Sequence, residues 1–163
     1  MQSLDINRNR VKYEKVYNVG IGLKQGEKLL LTEFELFYAL ENGLIDKEEI
    51  KNEIKGIDEV KDYIEKNRHT YEVFKYLRDN GYIARETIDN EGNTYLLVGK
   101  KGFRQGKDRT AYLMRVIKDS EYISAKTAKN DITKALMMKK GLVYAVKENN
   151  AITFLGIVNF RFD

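Results

Sequence analysis

The stretch that most constrains this chain is AYLMRVIK (111–118), a near-continuous apolar run with the following SAKTAKNDITKALMMKK (124–140) and GLVYAVK (141–147). A run of that kind reads as a strand buried on both faces. The segment after it carries helical spacing with Ser124 as its cap, and the next run returns to strand character. Two more strands precede, YIARETI (82–88) and NTYLLV (93–98), joined by the turn DNEG. A last one, AITFLGIVNF, follows the turn ENN. The carboxy-terminal half therefore reads ββ–β–α–ββ, and an α/β (α+β) fold is expected.

The other half reads differently. VYNVGIGL (16–23) is apolar and β-branched, GLKQGEK carries turn glycines and KLLL leads onward, so a small sheet is expected within residues 12–31. TEFE (32–35) forms a capping box that starts a helix, in which the Thr32 hydroxyl accepts an early N–H and Glu35 reaches back. Asn42-Gly43 should stop that helix. Residues 46–66 carry an Ile/Val stripe among charges and read as one or two amphipathic helices around Gly56. A further helix opens with His69 and ends at Asn80-Gly81. The expected division is a small mixed domain over 1–66 and a second domain over 67–163, with no Pro/Gly/Ser linker between them.

Composition narrows the chemistry. There is no cysteine and a single histidine among 163 residues. Thiolate nucleophiles, disulfides and His/Cys metal sites are thereby excluded, and a Ser/His or Cys/His catalytic set is hard to assemble. No long apolar run or signal-peptide core is visible, so no membrane association and a cytoplasmic location are expected. Residues 99–147 hold thirteen Lys or Arg against four Asp or Glu, although the whole chain is only +4. Such asymmetry suits a polyanion met by one face. GKKGFRQGKD (99–108) lacks the P-loop spacing and reads as a flexible basic loop. Lys139-Lys140 complements a helix C-terminus and is also placed to face a phosphate.

Four segments carry a resemblance, in order along nearly the whole chain. KLLLTEFELFYALENGLI, YEVFKYLRDNGYIAR, RTAYLMRVI and TKALMMKKGLVYAV resemble successive motifs of the archaeal tRNA-splicing endonucleases. The resemblance implies a restriction-endonuclease-like carboxy-terminal domain, a mixed sheet with a flanking helix. It also implies intron excision from precursor tRNA at bulge-helix-bulge motifs. In that reaction a ribose 2′-hydroxyl attacks the adjacent phosphate, leaving a 2′,3′-cyclic phosphate, with no metal or other cofactor. A base, an acid and a cation are needed, and the family uses Tyr, His and Lys.

Carried over by motif, the tyrosine falls on Val98, the histidine on Arg109, the lysine on Lys140 and a substrate-clamping arginine on Thr133. A slip of the match would put Tyr95 in the tyrosine's place. Only Lys140 keeps the required chemistry, so no catalytic residue is assigned. His69 is read as a helix residue with no nuclease role. The resemblance then implies a structural, non-catalytic subunit, partnered with a homologous catalytic subunit, two of each, and with precursor tRNA. Lys100, Lys101, Arg104, Lys107, Arg109, Lys139 and Lys140 are the candidate RNA contacts. Glu148, in the loop VKENNA, and Phe154, Leu155, Ile157, Val158 and Phe160 of the last strand are the candidate subunit contacts. Two other readings stay open: a self-sufficient, metal-independent ribonuclease using Tyr95 or Tyr112 with Lys140, and a basic RNA-binding module unrelated to splicing.

Overall fold

A computed structural model describes residues 1–51, 54, 56–118 and 120–158. It divides into two compact bodies, Met1–Tyr71 with Arg104–Asp108, and Glu72–Phe103 with Arg109–Asp163.

In the first body, strands β1 (Gln2–Asp5), β2 (Leu23–Gln25) and β3 (Lys28–Leu31) form an antiparallel sheet with β3 in the centre. Leu4, Leu29 and Leu31 are fully buried, the alternation that a half-buried sheet requires. The sheet expected over residues 12–31 is only partly present. Residues 12–18 belong instead to helix α1 (Arg10–Asn18), after a 3-10 turn at Ile6–Arg8. Asn9 caps α1 by accepting from the Lys12 N–H at 3.4 Å, and Tyr13 and Val16, three residues apart, are buried together. Local capping and an i, i+3 pair thus override the β-branched composition of VYNVGIGL. Gly22 then makes the turn into β2 at φ +81°, where a Cβ would lie 2.6 Å from Leu29 Cδ1. Only glycine fits there.

Helix α2 (Glu33–Glu41) starts with the expected capping box. The Glu35 carboxylate is buried and accepts from the Thr32 N–H at 3.0 Å and the Gly22 N–H at 3.1 Å. One side chain therefore caps the helix and pins the glycine turn. Helices α3 (Lys47–Ile50) and α4 (Ile57–Lys66) lie on either side of Gly56, itself left-handed at φ +84°. The Phe34 ring meets Tyr63 and, edge-on, Tyr71 at centroid distances of 5.8 and 5.4 Å.

Helix α5 (Arg68–Asp79) runs into the second body, and Gly81 ends it at φ +80°. The second body is a five-stranded sheet in the order β4 (Ala84–Ile88), β5 (Thr94–Val98), β6 (Tyr112–Lys118), β7 (Gly141–Glu148), β8 (Ala151–Ile157). All neighbours are antiparallel except β6 and β7, which are parallel and linked through helix α6 (Ala125–Met137). This is the ββ–β–α–ββ order, and the fold is mixed α+β. Ser124 caps α6 by accepting from the Thr127 N–H at 3.0 Å.

Strand period sorts the sheet into two faces. Tyr95, Leu113, Ile117, Leu142 and Tyr144 form one core with Ala135 of α6. Val98, Met114, Val143 and Phe154 occupy the other face, where Tyr76 of α5 lies 6.1 Å from the Phe154 ring and Glu72 pairs with Lys147 at 3.1 Å. Burial of β6 on both faces follows, with Leu113 and Met114 on opposite sides and both buried. Among the described residues no helix is long and apolar enough to cross a membrane.

Candidate functional site

Three strand ends meet at one edge of the second body. β5 ends at Val98, which pairs with Tyr112 at the start of β6, and Tyr112 in turn pairs with Gly141 at the start of β7. The Ala111 N–H donates to the Val98 carbonyl at 2.8 Å and the Gly141 N–H to the Ala111 carbonyl at 3.0 Å. These bonds fix the approach of residues 109–111 between the two neighbouring strands. They bring Val98, Arg109 and Lys140 to one end of the sheet, although 42 positions separate the first from the last.

Lys139 leaves α6 in the left-handed region at φ +54° and is exposed. That reversal sends Lys140 back across the sheet end. Its ammonium donates to the Thr110 carbonyl at 2.6 Å and to the Thr110 hydroxyl oxygen at 2.7 Å. Burial pushes the Lys140 amine below the ordinary lysine range, and the Arg109 guanidinium adds to the shift. Two neighbouring cations favour an anion nearby. Arginine does not release its proton at neutral pH. Val98 is buried and carries no ionisable group.

Tyr95 does not join Val98, Arg109 and Lys140 at the strand ends. It lies on the opposite face of β5 from Val98, 1% exposed, and donates to Asp131 Oδ1 at 2.7 Å. Asp131 also accepts from Arg115 at 3.2 Å and from the Tyr144 hydroxyl at 3.0 Å. Lys134 donates to the Tyr95 oxygen at 3.1 Å and pairs with Asp89. Burial and the bond to Asp131 push the Tyr95 phenol upward. This network lies beneath α6 and ties it to β5, β6 and β7. One signal for it stood in the sequence: Arg115 interrupts the apolar run of β6, and a cation there needs a buried carboxylate.

The remaining candidates are spread out. Thr133 donates its hydroxyl to the Lys129 carbonyl at 2.9 Å within its own helix turn. His69 is exposed in the first turn of α5, in the first body. The basic loop divides: Lys100, Lys101 and Arg109 belong to the second body, Arg104 and Lys107 to the first. Arg104 is bound to Asp108 through its backbone N–H at 2.7 Å and its guanidinium at 3.4 Å, while Gln105 donates to the Gly22 carbonyl at 2.6 Å. The loop is thus pinned within the first body rather than left free. Tyr112, 36% exposed, was a candidate only in the self-sufficient ribonuclease reading and Thr110 in none, although both stand at the strand ends.

The loop expected around VKENNA is short. β7 continues to Glu148 and β8 begins at Ala151, leaving Asn149 at φ +46° and Asn150 as the turn. Glu148 is exposed at the hairpin end. Among the described residues β8 pairs with β7 alone and is the outer strand of the sheet. Phe154, Leu155 and Val158 are exposed, whereas Ile157 packs against the α6 core. Phe160 lies outside the described residues.

Two comparisons bear on this arrangement. The sequence model of the family described as tRNA intron endonuclease, catalytic C-terminal domain, matches residues 67–154. No curated protein matches the chain. The match runs from α5 through the β7–β8 hairpin and includes all three strand ends, so the chain belongs to the tRNA intron endonuclease family.

Proposed function

We propose that this chain is the structural, non-catalytic subunit of a heteromeric tRNA-splicing endonuclease. It supports a homologous catalytic subunit, two of each, and helps to hold precursor tRNA at its bulge-helix-bulge region. One observation carries the reading: at the strand ends where the family motifs place Tyr, His and Lys, this chain presents Val98, Arg109 and Lys140. Transesterification at phosphate needs a proton taken from the 2′-hydroxyl and one given to the leaving oxygen. A valine and a permanently charged arginine do neither. Lys140, Arg109, Lys139, Lys100 and Lys101 attract phosphate without reading sequence, and Arg104 and Lys107 extend that basic character on the first body.

The outer strand β8 supports the partner half of the reading. Among the described residues the outer edge of β8 is unpaired, and exposed apolar side chains on such an edge favour pairing with another chain, with Phe154, Leu155 and Val158 as contacts and Ile157 and Glu148 beside them. The test is assembly. Native mass spectrometry of this chain mixed with a homologue bearing Tyr, His and Lys should give a two-plus-two complex. A mixture that stays as separate monomers contradicts the reading.

A second reading has one observation in its favour. Tyr112 is half-exposed, and its ring lies 3.1 Å from where a Gly141 Cβ would stand, one residue from Lys140. A phenol and a depressed amine at one strand end are the elements of a self-sufficient ribonuclease. Turnover by the isolated chain separates the two readings.

A further inference from the structure

The Asn-Gly steps at Asn42-Gly43 and Asn80-Gly81 hold a reaction that their role as helix stops does not use. In such a step the glycine backbone nitrogen attacks the asparagine Cγ. The N–Cγ bond forms, the Cγ–Nδ2 bond breaks, and ammonia leaves with the proton of the glycine N–H. Water then opens the succinimide at either carbonyl, giving aspartate or isoaspartate, with no oxidant, metal or enzyme. A following glycine favours the attack, because it has no Cβ to shield its nitrogen and turns freely. All four residues are exposed, so water and hydroxide reach them.

The fold holds both steps shut in the same way. Each ends a helix, α2 or α5, with its glycine in the left-handed region at φ +63° and +80°. The cap is closed by the Leu44 N–H on the Ala39 carbonyl at 2.8 Å, and by the Tyr82 N–H on the Leu77 carbonyl at 2.9 Å. The nucleophile is tied: the Gly43 N–H donates to the Leu40 carbonyl at 3.2 Å and the Gly81 N–H to the Arg78 carbonyl at 3.0 Å. The leaving amide is tied as well, since Asn42 Nδ2 donates to the Tyr38 carbonyl and Asn80 Nδ2 to the Tyr76 carbonyl, each at 2.8 Å. At Asn42 a ψ of 9° turns the Gly43 nitrogen away from the side chain, whereas ring closure needs both on one side of the Cα–C bond. The reaction must therefore wait for the helix end to open.

The two ends are not held equally. Helix α5 carries Arg78 in its last turn, where a cation complements the helix dipole, and the guanidinium reaches across the turn to the Tyr82 carbonyl at 3.5 Å. Helix α2 has no basic residue in its last turn. Local sequence does not separate them, because each Asn-Gly follows an acidic residue, Glu41 or Asp79.

We propose that Asn42 and Asn80 are sites of spontaneous deamidation gated by opening of the two helix ends, with Asn42 the first to react. The product does not re-form the cap: its carboxylate opposes the dipole at a helix C-terminus, and isoaspartate lengthens the main chain by a methylene. The reaction needs neither RNA nor a partner chain.

The test incubates the full chain at mildly alkaline pH in heavy-oxygen water, with and without urea, and follows both sites by peptide mapping with mass spectrometry. In urea the two sites should react at similar rates. Without urea both should slow by about tenfold or more, because only the open fraction reacts, and product should form at Asn42 before Asn80. Arg78→Met should speed the reaction at Asn80 and leave Asn42 unchanged. Amide hydrogen exchange at Gly43 and Gly81 in the unaltered chain should rank the two ends in the same order. Asn42→Gln and Asn80→Gln, which keep the amide but enlarge the ring to be closed, should each silence their own site alone. Equal rates with and without urea would remove the gate, and product at Asn80 first would overturn the order. No product at either site without urea, while the urea sample converts, would end the assignment.

Discussion

Lys140 carries two opposed demands. Its ammonium is anchored by both oxygens of Thr110, yet burial and the neighbouring Arg109 push its pKa below the ordinary lysine value. Removing the guanidinium removes one of the two causes. Arg109→Ala should therefore raise the Lys140 pKa toward the usual ~10.4, read by NMR titration of the lysine after isotopic labelling of its side chain. An unchanged titration would mean that burial alone sets the value. The motif match assigned Val98, Arg109 and Lys140 to one site from residue order alone, and the structure brings these three residues to one end of the sheet. The match could not show that Tyr95 faces the other way. Three positions along a strand reverse the side chain, and that parity was readable once β5 was bounded at Val98. The bond from Lys140 to Thr110 was not readable, since it depends on the left-handed turn at Lys139.

Between elements, the strongest tie in the second body is the Asp131 network, which joins α6 to β5, β6 and β7. Asp131 is 1% exposed and Arg115 is its charged partner. Removing one member of a buried pair leaves the other uncompensated, at a cost of about 3–5 kcal/mol. Asp131→Ala should show that loss in urea denaturation. The double variant Asp131→Leu with Arg115→Met should recover most of it, because an apolar pair has nothing left to desolvate. Failure to recover would show that the Tyr95 and Tyr144 hydroxyls, not the ion pair, dominate.

The β4–β5 turn contributes a pH dependence through Asp89. Burial alone would raise its pKa, but hydrogen bonds from Lys134, from the Asn93 side chain and from the backbone of Asn93 and Glu91 hold the carboxyl well below the usual range. A depressed carboxylate contributes stability that is complete above its unfolded pKa and is lost as pH falls toward the folded value. Stability should thus decline below about pH 4, and the decline should be shallower in Asp89→Asn. Identical acid profiles for the two proteins would contradict this. The helices, the hairpin at DNEG and the caps at Thr32 and Ser124 were legible because each has a local sequence signal. Helix α1 and strand β1 were not: VYNVGIGL has strand composition, and only Asn9 with the Tyr13–Val16 pair reveals the helix.

At the scale of the whole molecule, the chain is an α+β member of the tRNA intron endonuclease family, and the proposed function reads two of its three reacting positions as replaced. On that reading, the basic surface and the outer strand β8 leave the chain work that needs no proton transfer: holding phosphate and holding a partner. That division could be anticipated from the single exposed histidine, since residues 70–163 contain no imidazole to stand in. The split of the basic loop between the two bodies could not, because the docking of Gln105 on Gly22 joins residues 83 positions apart. The most direct measurement is single-turnover cleavage of an intron-bearing precursor tRNA by the purified chain, first alone and then with a homologue bearing Tyr, His and Lys. The account predicts no product from the chain alone and excision with 2′,3′-cyclic phosphate ends once the homologue is added. Excision with those ends by the unaccompanied chain would contradict it.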